Sequence, residues 1–320
     1  MSDRQCNTRT NDRERGAVAV ISALLLVVLL GCAAIAVDVG MLYSERAQLQ
    51  NGADAGAMAI AQDCAANGTA TCQSRGASSA LALAKQNNLQ NLAATNTPTF
   101  AGSNSVTVVT KAMNHSGPGA ATFFANVFGI STVNVGATAS AGWGSPYAGT
   151  VALPLAFSEC QFDLTAGVQV LQIQGGPSCV SSNGSGHTLP GGFGWIDSDP
   201  GVCGATITLA HPQVSSKSGV SEPTLCSSVF DSLIDQTVLL PVYDDKGGNG
   251  TNGWFHIKGF AAFKLSGFNF PGHSANNTGT PGCSGNCKGI IGSFVKYVTL
   301  DSGFTLGGPD LGGRIVALTN

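Results

Sequence analysis

From Ala17 to Val37 the chain reads AVAVISALLLVVLLGCAAIAV, twenty-one residues without a charge. At about 1.5 Å rise per residue, that run makes a helix of roughly 32 Å, enough to cross a bilayer core. Beyond it the apolar pattern narrows rather than stops. Val39, Leu42, Leu49, Ala53, Gly56 and Ile60 recur at helical spacings. This stripe of mostly small residues predicts that the helix continues as a stalk whose face admits close helix approach. Asp38, Glu45 and Asp54 sit near the stripe but off it, and read as a solvated face.

A turn is expected at Asn67-Gly68. Ser74 is then placed to cap a second helix carrying Ala77, Ala80, Leu81 and Ala84 on one face. Residues 91–104 read as loop, and Ser105–Thr110 (SVTVVT) as a strand. Ser116 and Pro118 supply the chemistry of a helix start. Ala121, Phe124, Ala125 and Phe128 then fall on one side, with Gly129 as a stop. From Val133 to Ala139 apolar and polar residues alternate, which predicts another strand. Gly142–Gly149 (GWGSPYAG) reads as a hinge.

Past Thr150, short apolar runs alternate with Gly, Pro, Asn and Ser turns, the mark of a β-rich domain. Strands are expected at Val168–Ile173, Ala205–Leu209, Thr237–Val242, Gly253–Lys264, Phe294–Leu300 and Arg314–Leu318, with one helix at Ser227–Asp235. The organisation expected is therefore a head (1–16), a transmembrane helix (17–37), an α+β module (38–142), a linker (143–149) and a β-rich domain (150–320). The fold class is α+β.

Charge fixes an expected orientation. Arg4, Arg9, Arg13 and Arg15 hold four of the seven arginines ahead of the apolar run. By the positive-inside bias the short head stays in the cytoplasm and the bulk lies outside. A retained anchor is the leading reading. Ala34-Ile35-Ala36 also resembles a signal cleavage site, and Leu29-Leu30-Gly31-Cys32 a relaxed lipobox. Only 10% of residues are charged and the net charge is −3, with the lysines scattered singly, which argues against a nucleic-acid partner.

Eight cysteines follow the apolar run: Cys64, Cys72, Cys160, Cys179, Cys203, Cys226, Cys283 and Cys287. An even number in an oxidising compartment predicts four disulfides. Cys64–Cys72 and Cys283–Cys287 close short loops and are the expected bridges; spacing leaves the other four open.

The strings Arg13-Glu14-Arg15-Gly16-Ala17-Val18-Ala19-Val20, Ala36-Val37-Asp38-Val39-Gly40-Met41-Leu42-Tyr43 and Leu49-Gln50-Asn51-Gly52-Ala53-Asp54-Ala55 carry a family resemblance. So do Phe123–Ile130 and the Val133–Ala141 strand. Together they resemble the TadE/TadG-like proteins of the bacterial Flp (Tad, type IVc) pilus-assembly system. The resemblance implies a pilin-like module on a single-pass anchor in the cytoplasmic membrane. It also implies other Tad/Flp subunits as partners through the transmembrane and stalk helix, with a role in attachment and biofilm formation. Substrates of prepilin peptidase resemble a glycine followed by a run with glutamate at its fifth position; here the fifth residue after Gly16 is Ile21, so the uncleaved TadG-like branch fits better. Many TadG proteins carry a von Willebrand A domain with an Asp-x-Ser-x-Ser motif, which Asp197-Ser198-Asp199 and Asp301-Ser302-Gly303 do not match.

No catalytic residue, cofactor or metal is expected. The five histidines (His115, His187, His211, His256 and His273) share no ligand spacing. His273 with Cys283 and Cys287 suggests zinc only if the thiols stay reduced. Asp244–Gly253 has the look of a calcium loop but places Lys246, Gly247 and Gly248 where oxygens belong, so a hairpin turn is expected. Trp195, Trp254, Phe255, Phe260, Phe263, Phe268 and Phe270 read as core rather than as a carbohydrate-binding face. An exported adhesin independent of pili, or an exported hydrolase, stand as the alternatives.

Overall fold

The computed structural model describes residues 9–173, 175–249, 252–300 and 303–319. Expectations for Arg4 in the head, and for Asp301-Ser302, lie outside the described residues. The architecture is α+β: a long apolar helix near the N-terminus followed by β-rich structure stapled by four disulfides. It divides into two compact units. The first holds the chain up to Ala57 with Gly76–Thr99 and Thr107–Ala139; the second holds Met58–Arg75, Phe100–Val106 and Ser140–Asn320.

Helix α1 runs from Arg9 to Asn67, rich in alanine and leucine and free of proline. Gly68, at φ 86°, takes the left-handed conformation that ends it, and helix α2 (Thr69–Gln86) begins at the next residue. That is six residues earlier than a cap at Ser74 predicts, and the Ser74 hydroxyl donates to the Thr71 carbonyl instead of capping. Cys64 and Cys72 flank the reversal with their Cα atoms 4.9 Å apart and are bridged.

The core of the first unit is built mostly from alanine: Leu49, Ala84, Ala93, Ala112, Ala120 and Ala137, with Leu42 and Val135 packed against it. Side chains this small bury little apolar area each, so cohesion depends on close backbone approach. A Cβ on Gly56 would lie 3.4 Å from the Cα of Ala80. Strand Ala93–Thr95 pairs antiparallel with Ser105–Asn114, inside the stretch expected to be loop. The Thr110 hydroxyl donates to the Leu49 carbonyl at 2.9 Å, tying that second strand to α1.

The helix expected after Ser116 is not formed. Gly117–Pro118 pairs with Met113 and Asn114, and Ala120–Ala121 pairs with Thr132–Val133. Gly117 and Gly119 take φ of 143° and 103°, values that do not belong to a right-handed helix. Helical geometry is confined to one 3-10 turn, Ala125–Phe128.

In the second unit, Trp254–Phe270 is the central strand. It pairs with Thr237–Gly247, Gly289–Val295, Gln213–Lys217 and His273–Ala275. Gln213–Lys217 pairs with Phe193–Ile196, which pairs with Leu155–Ser158, which runs parallel to part of Thr237–Gly247. The hydrogen-bonded path thus returns to its start through five strands. Alternate residues feed two separate cores. Leu240, Ala261 and Phe263 enter one, with Phe157, Trp195, Phe230 and Phe294; Leu239, Phe260 and Ala262 enter the other, with Tyr243, Phe255 and Ile315. Both faces of the central strand are therefore buried, as its two apolar phases indicate. Phe157 lies 5.0 Å from both Phe263 and Phe294, ring centre to ring centre.

Two expectations change here. Gly142–Gly149 is no hinge: it lies in strands Gly136–Gly144 and Pro146–Val151, which pair with Gly313–Leu318 and with Ala205–Thr208 and Phe304–Leu306. Trp143 in its middle is only 3% exposed, an anchoring side chain that a free linker would not bury. The expected strand Phe294–Leu300 is split at Lys296, between Gly289–Val295 and Tyr297–Thr299, whose partners differ.

Candidate assembly surface

Among the described residues, one helix is long and apolar enough to cross a membrane. Leu24, Val27, Leu29 and Leu30 on α1 are each exposed over more than half of their surface. A helix apolar all round with nothing of its own chain covering it needs an apolar solvent or an apolar partner.

Asp38 stands one residue past that run, and it is not the solvated acid the pattern suggests. It is 7% exposed. Its carboxylate accepts the backbone N–H of Phe123 at 2.9 Å, of Phe124 at 3.1 Å and of Ala125 at 2.6 Å. These amides open the 3-10 turn Ala125–Phe128, so an acid from α1 caps a turn more than eighty residues away in sequence. Sequence offered a weak signal for this: a lone carboxylate set directly against a long apolar run.

The capped segment is apolar and outward-facing. Phe123, Val127 and Phe128 are 69%, 82% and 84% exposed. Between it and α1 lies a groove of ≈ 770 Å³, walled by Val28, Cys32 and Ile35 on the helix and by Val127, Phe128 and Ile130 on the segment.

The packing stripe divides along its length. Val39 is exposed and Leu42 half-buried, while Leu49, Ala53, Gly56 and Ile60 are buried. The C-terminal part of the stripe is packed against the chain's own residues, the close approach that its small side chains admit. The large apolar side chains left outward on α1 are those of the apolar run and the turns just past it. Glu45, also off the stripe, accepts from Asn88 at 2.8 Å, and burial pushes its carboxyl upward.

The eight cysteines pair as Cys64–Cys72, Cys160–Cys179, Cys203–Cys226 and Cys283–Cys287. Cys32 is free and exposed.

In the second unit, several titratable side chains pair with one another. Asp244 meets His256 Nδ1 at 2.6 Å and Asp245 meets His187 Nδ1 at 2.9 Å, from adjacent positions of one strand. Burial raises Asp245, but hydrogen bonds from His187, Asn183 and the Lys246 amide outweigh it and hold the carboxyl at about 2. Lys258 bonds both Glu159 and Ser182. His273 bonds Glu222 at 2.6 Å and Asp231 at 3.1 Å. Burial opposes its protonation, and the two acids overcome that to raise its pKa. Among the described residues no group of three or more His, Cys, Asp or Glu converges as metal ligands would.

Residues 16–63 match the Tad family model, Flp pilus-assembly TadE/G-like. No curated protein and no solved structure matches the chain. The matched stretch contains the exposed apolar run, Asp38 and the buried stripe together. From Gly16 to Asp63, this chain carries a TadE/G-like Flp pilus-assembly domain.

Proposed function

We propose that the protein is a single-pass, membrane-anchored accessory component of Flp pilus assembly in a bacterial cytoplasmic membrane. Its arginine-rich head lies in the cytoplasm and its disulfide-stapled bulk outside, supporting surface attachment. The family match over residues 16–63, on the same helix that presents an uncovered apolar run, carries this reading. The arginine bias supports the orientation, and the four disulfides support an oxidising compartment. In this reading other Tad subunits meet the apolar run and the outward turns after it.

The role is structural rather than catalytic. The pairing of His187, His256 and His273 with acids of the second unit supports this reading. Deleting the gene tests the reading: pili counted by electron microscopy should fall, with recovery on complementation, and unchanged pili would sink it. Gene neighbours encoding a secretion ATPase and other TadE/F-like proteins separate this role from that of an independent adhesin.

A further inference from the structure

We infer that residues 122–130 form a second membrane contact, a wedge seated in the outer leaflet beside the span and clipped to it by Asp38. The inference rests on the anchored reading above. Three independent observations point to lipid as the occupant.

The first is position. Asp38 follows the apolar run directly and holds the amides of Phe123, Phe124 and Ala125, which fixes the segment at the end of the run. The groove wall then includes Val28, Cys32 and Ile35, so the segment lies alongside the outer half of the run itself. Any solvent that surrounds those helix residues also surrounds Val127 and Phe128.

The second is chemistry. The sequence TFFANVFGI carries no charge, and its large side chains point outward, with Phe128 84% exposed. In water that many exposed aromatic and branched residues on one short turn is costly; at a bilayer it is the composition of an inserted wedge.

The third is the backbone. A segment entering lipid has to satisfy its own polar groups. Thr122 N–H donates to Ser131 and the Thr122 hydroxyl to Ile130. Val127, Gly129 and Ile130 donate to Phe124, Asn126 and Ala125. Asp38 takes the amides of Phe123, Phe124 and Ala125 at the start of the turn. An exposed aqueous loop has no need of that degree of closure.

Full-length protein in phosphatidylcholine vesicles, with and without brominated acyl chains, tests the proposal. Three variants carry an added tryptophan: Phe128→Trp on the wedge, Leu30→Trp on the span and Leu89→Trp as an aqueous reference, each at an exposed position. Their signals are read as the difference from the parent protein. Expected are blue-shifted emission and quenching by brominated lipid for Phe128→Trp and Leu30→Trp, and neither for Leu89→Trp. Quenching of Leu30→Trp without Phe128→Trp would overturn the wedge and leave the anchor standing. No quenching at either would sink the anchor itself. A Phe128→Trp signal shielded from both brominated lipid and aqueous iodide would mean that a second copy covers this face, and would also overturn the proposal.

Discussion

A methyl group placed on Gly52 of α1 would lie 2.9 Å from the Cα of Ala84 on α2. The obstacle is main chain rather than a movable side chain, so Gly52→Ala has to push two helices apart in a core made largely of alanine. Overpacking of this kind costs typically about 1–3 kcal/mol. Thermal melting of the variant should show a lower midpoint, and Gly52→Leu a larger drop. An unchanged Gly52→Ala midpoint would show that the helices do not meet there.

Asp38→Ala removes the acceptor shared by three amides. Each donor left unpaired weakens the turn, and water or a local shift recovers part of the loss. Hydrogen exchange at Phe123, Phe124 and Ala125 should accelerate sharply while exchange across Ser105–Asn114 stays slow. Asp38→Asn, which keeps one carbonyl oxygen, should fall between the two.

The disulfides should not be equivalent. Cys160–Cys179 and Cys203–Cys226 span 19 and 23 residues, whereas Cys283–Cys287 spans 4. Loop-closure entropy assigns about 3 kcal/mol to loops of the longer class and less to the shortest. Paired Cys→Ser variants, unfolded in urea, should lose most stability for the first two. Equal losses would contradict an entropic origin.

His273 should make the second unit less stable toward alkaline pH. Its folded pKa is raised, so its contribution is complete below the unfolded value of about 6.5 and disappears as pH climbs through the folded one. Melting temperature should decline over that window, and His273→Gln should flatten the decline.

Asp245 acts at the other end. Its folded pKa is lowered to about 2, so its contribution is present above the unfolded value of about 3.9 and is lost as pH falls from there. Asp245→Asn should reduce stability at neutral pH and leave a shallower acid transition than the parent shows.

The apolar run, the reversal at Gly68, the Cys64–Cys72 spacing and the longer strands Thr237–Gly247 and Trp254–Phe270 were readable because each is encoded by neighbours along the chain, whereas Leu155–Ser158, Phe193–Ile196 and Gln213–Lys217, the other members of the ring, were not. Residues 116–128 were not. Ala121, Phe124, Ala125 and Phe128 repeat as a helix face would, but periodicity records where apolar groups recur and not what covers them. The φ values at Gly117 and Gly119 direct that stretch into paired strands instead. Asp38 was misread for a related reason: its three partners arrive from a distant segment, and no local pattern announces them. The partners of Cys160 and Cys203 likewise depend on a topology that spacing does not encode.

The ring that begins and ends on Trp254–Phe270 has a consequence for how this protein meets its neighbours. Each of its five members already has both flanks occupied over part of its length, so the ring gives a foreign chain little backbone to extend; the short strands Gln169–Gln172 and His273–Ala275 are free margins of the attached sheet. Strand addition to this sheet is thereby left to margins of four and three residues. A partner that docks on the ring itself has to recognise side chains rather than extend its backbone.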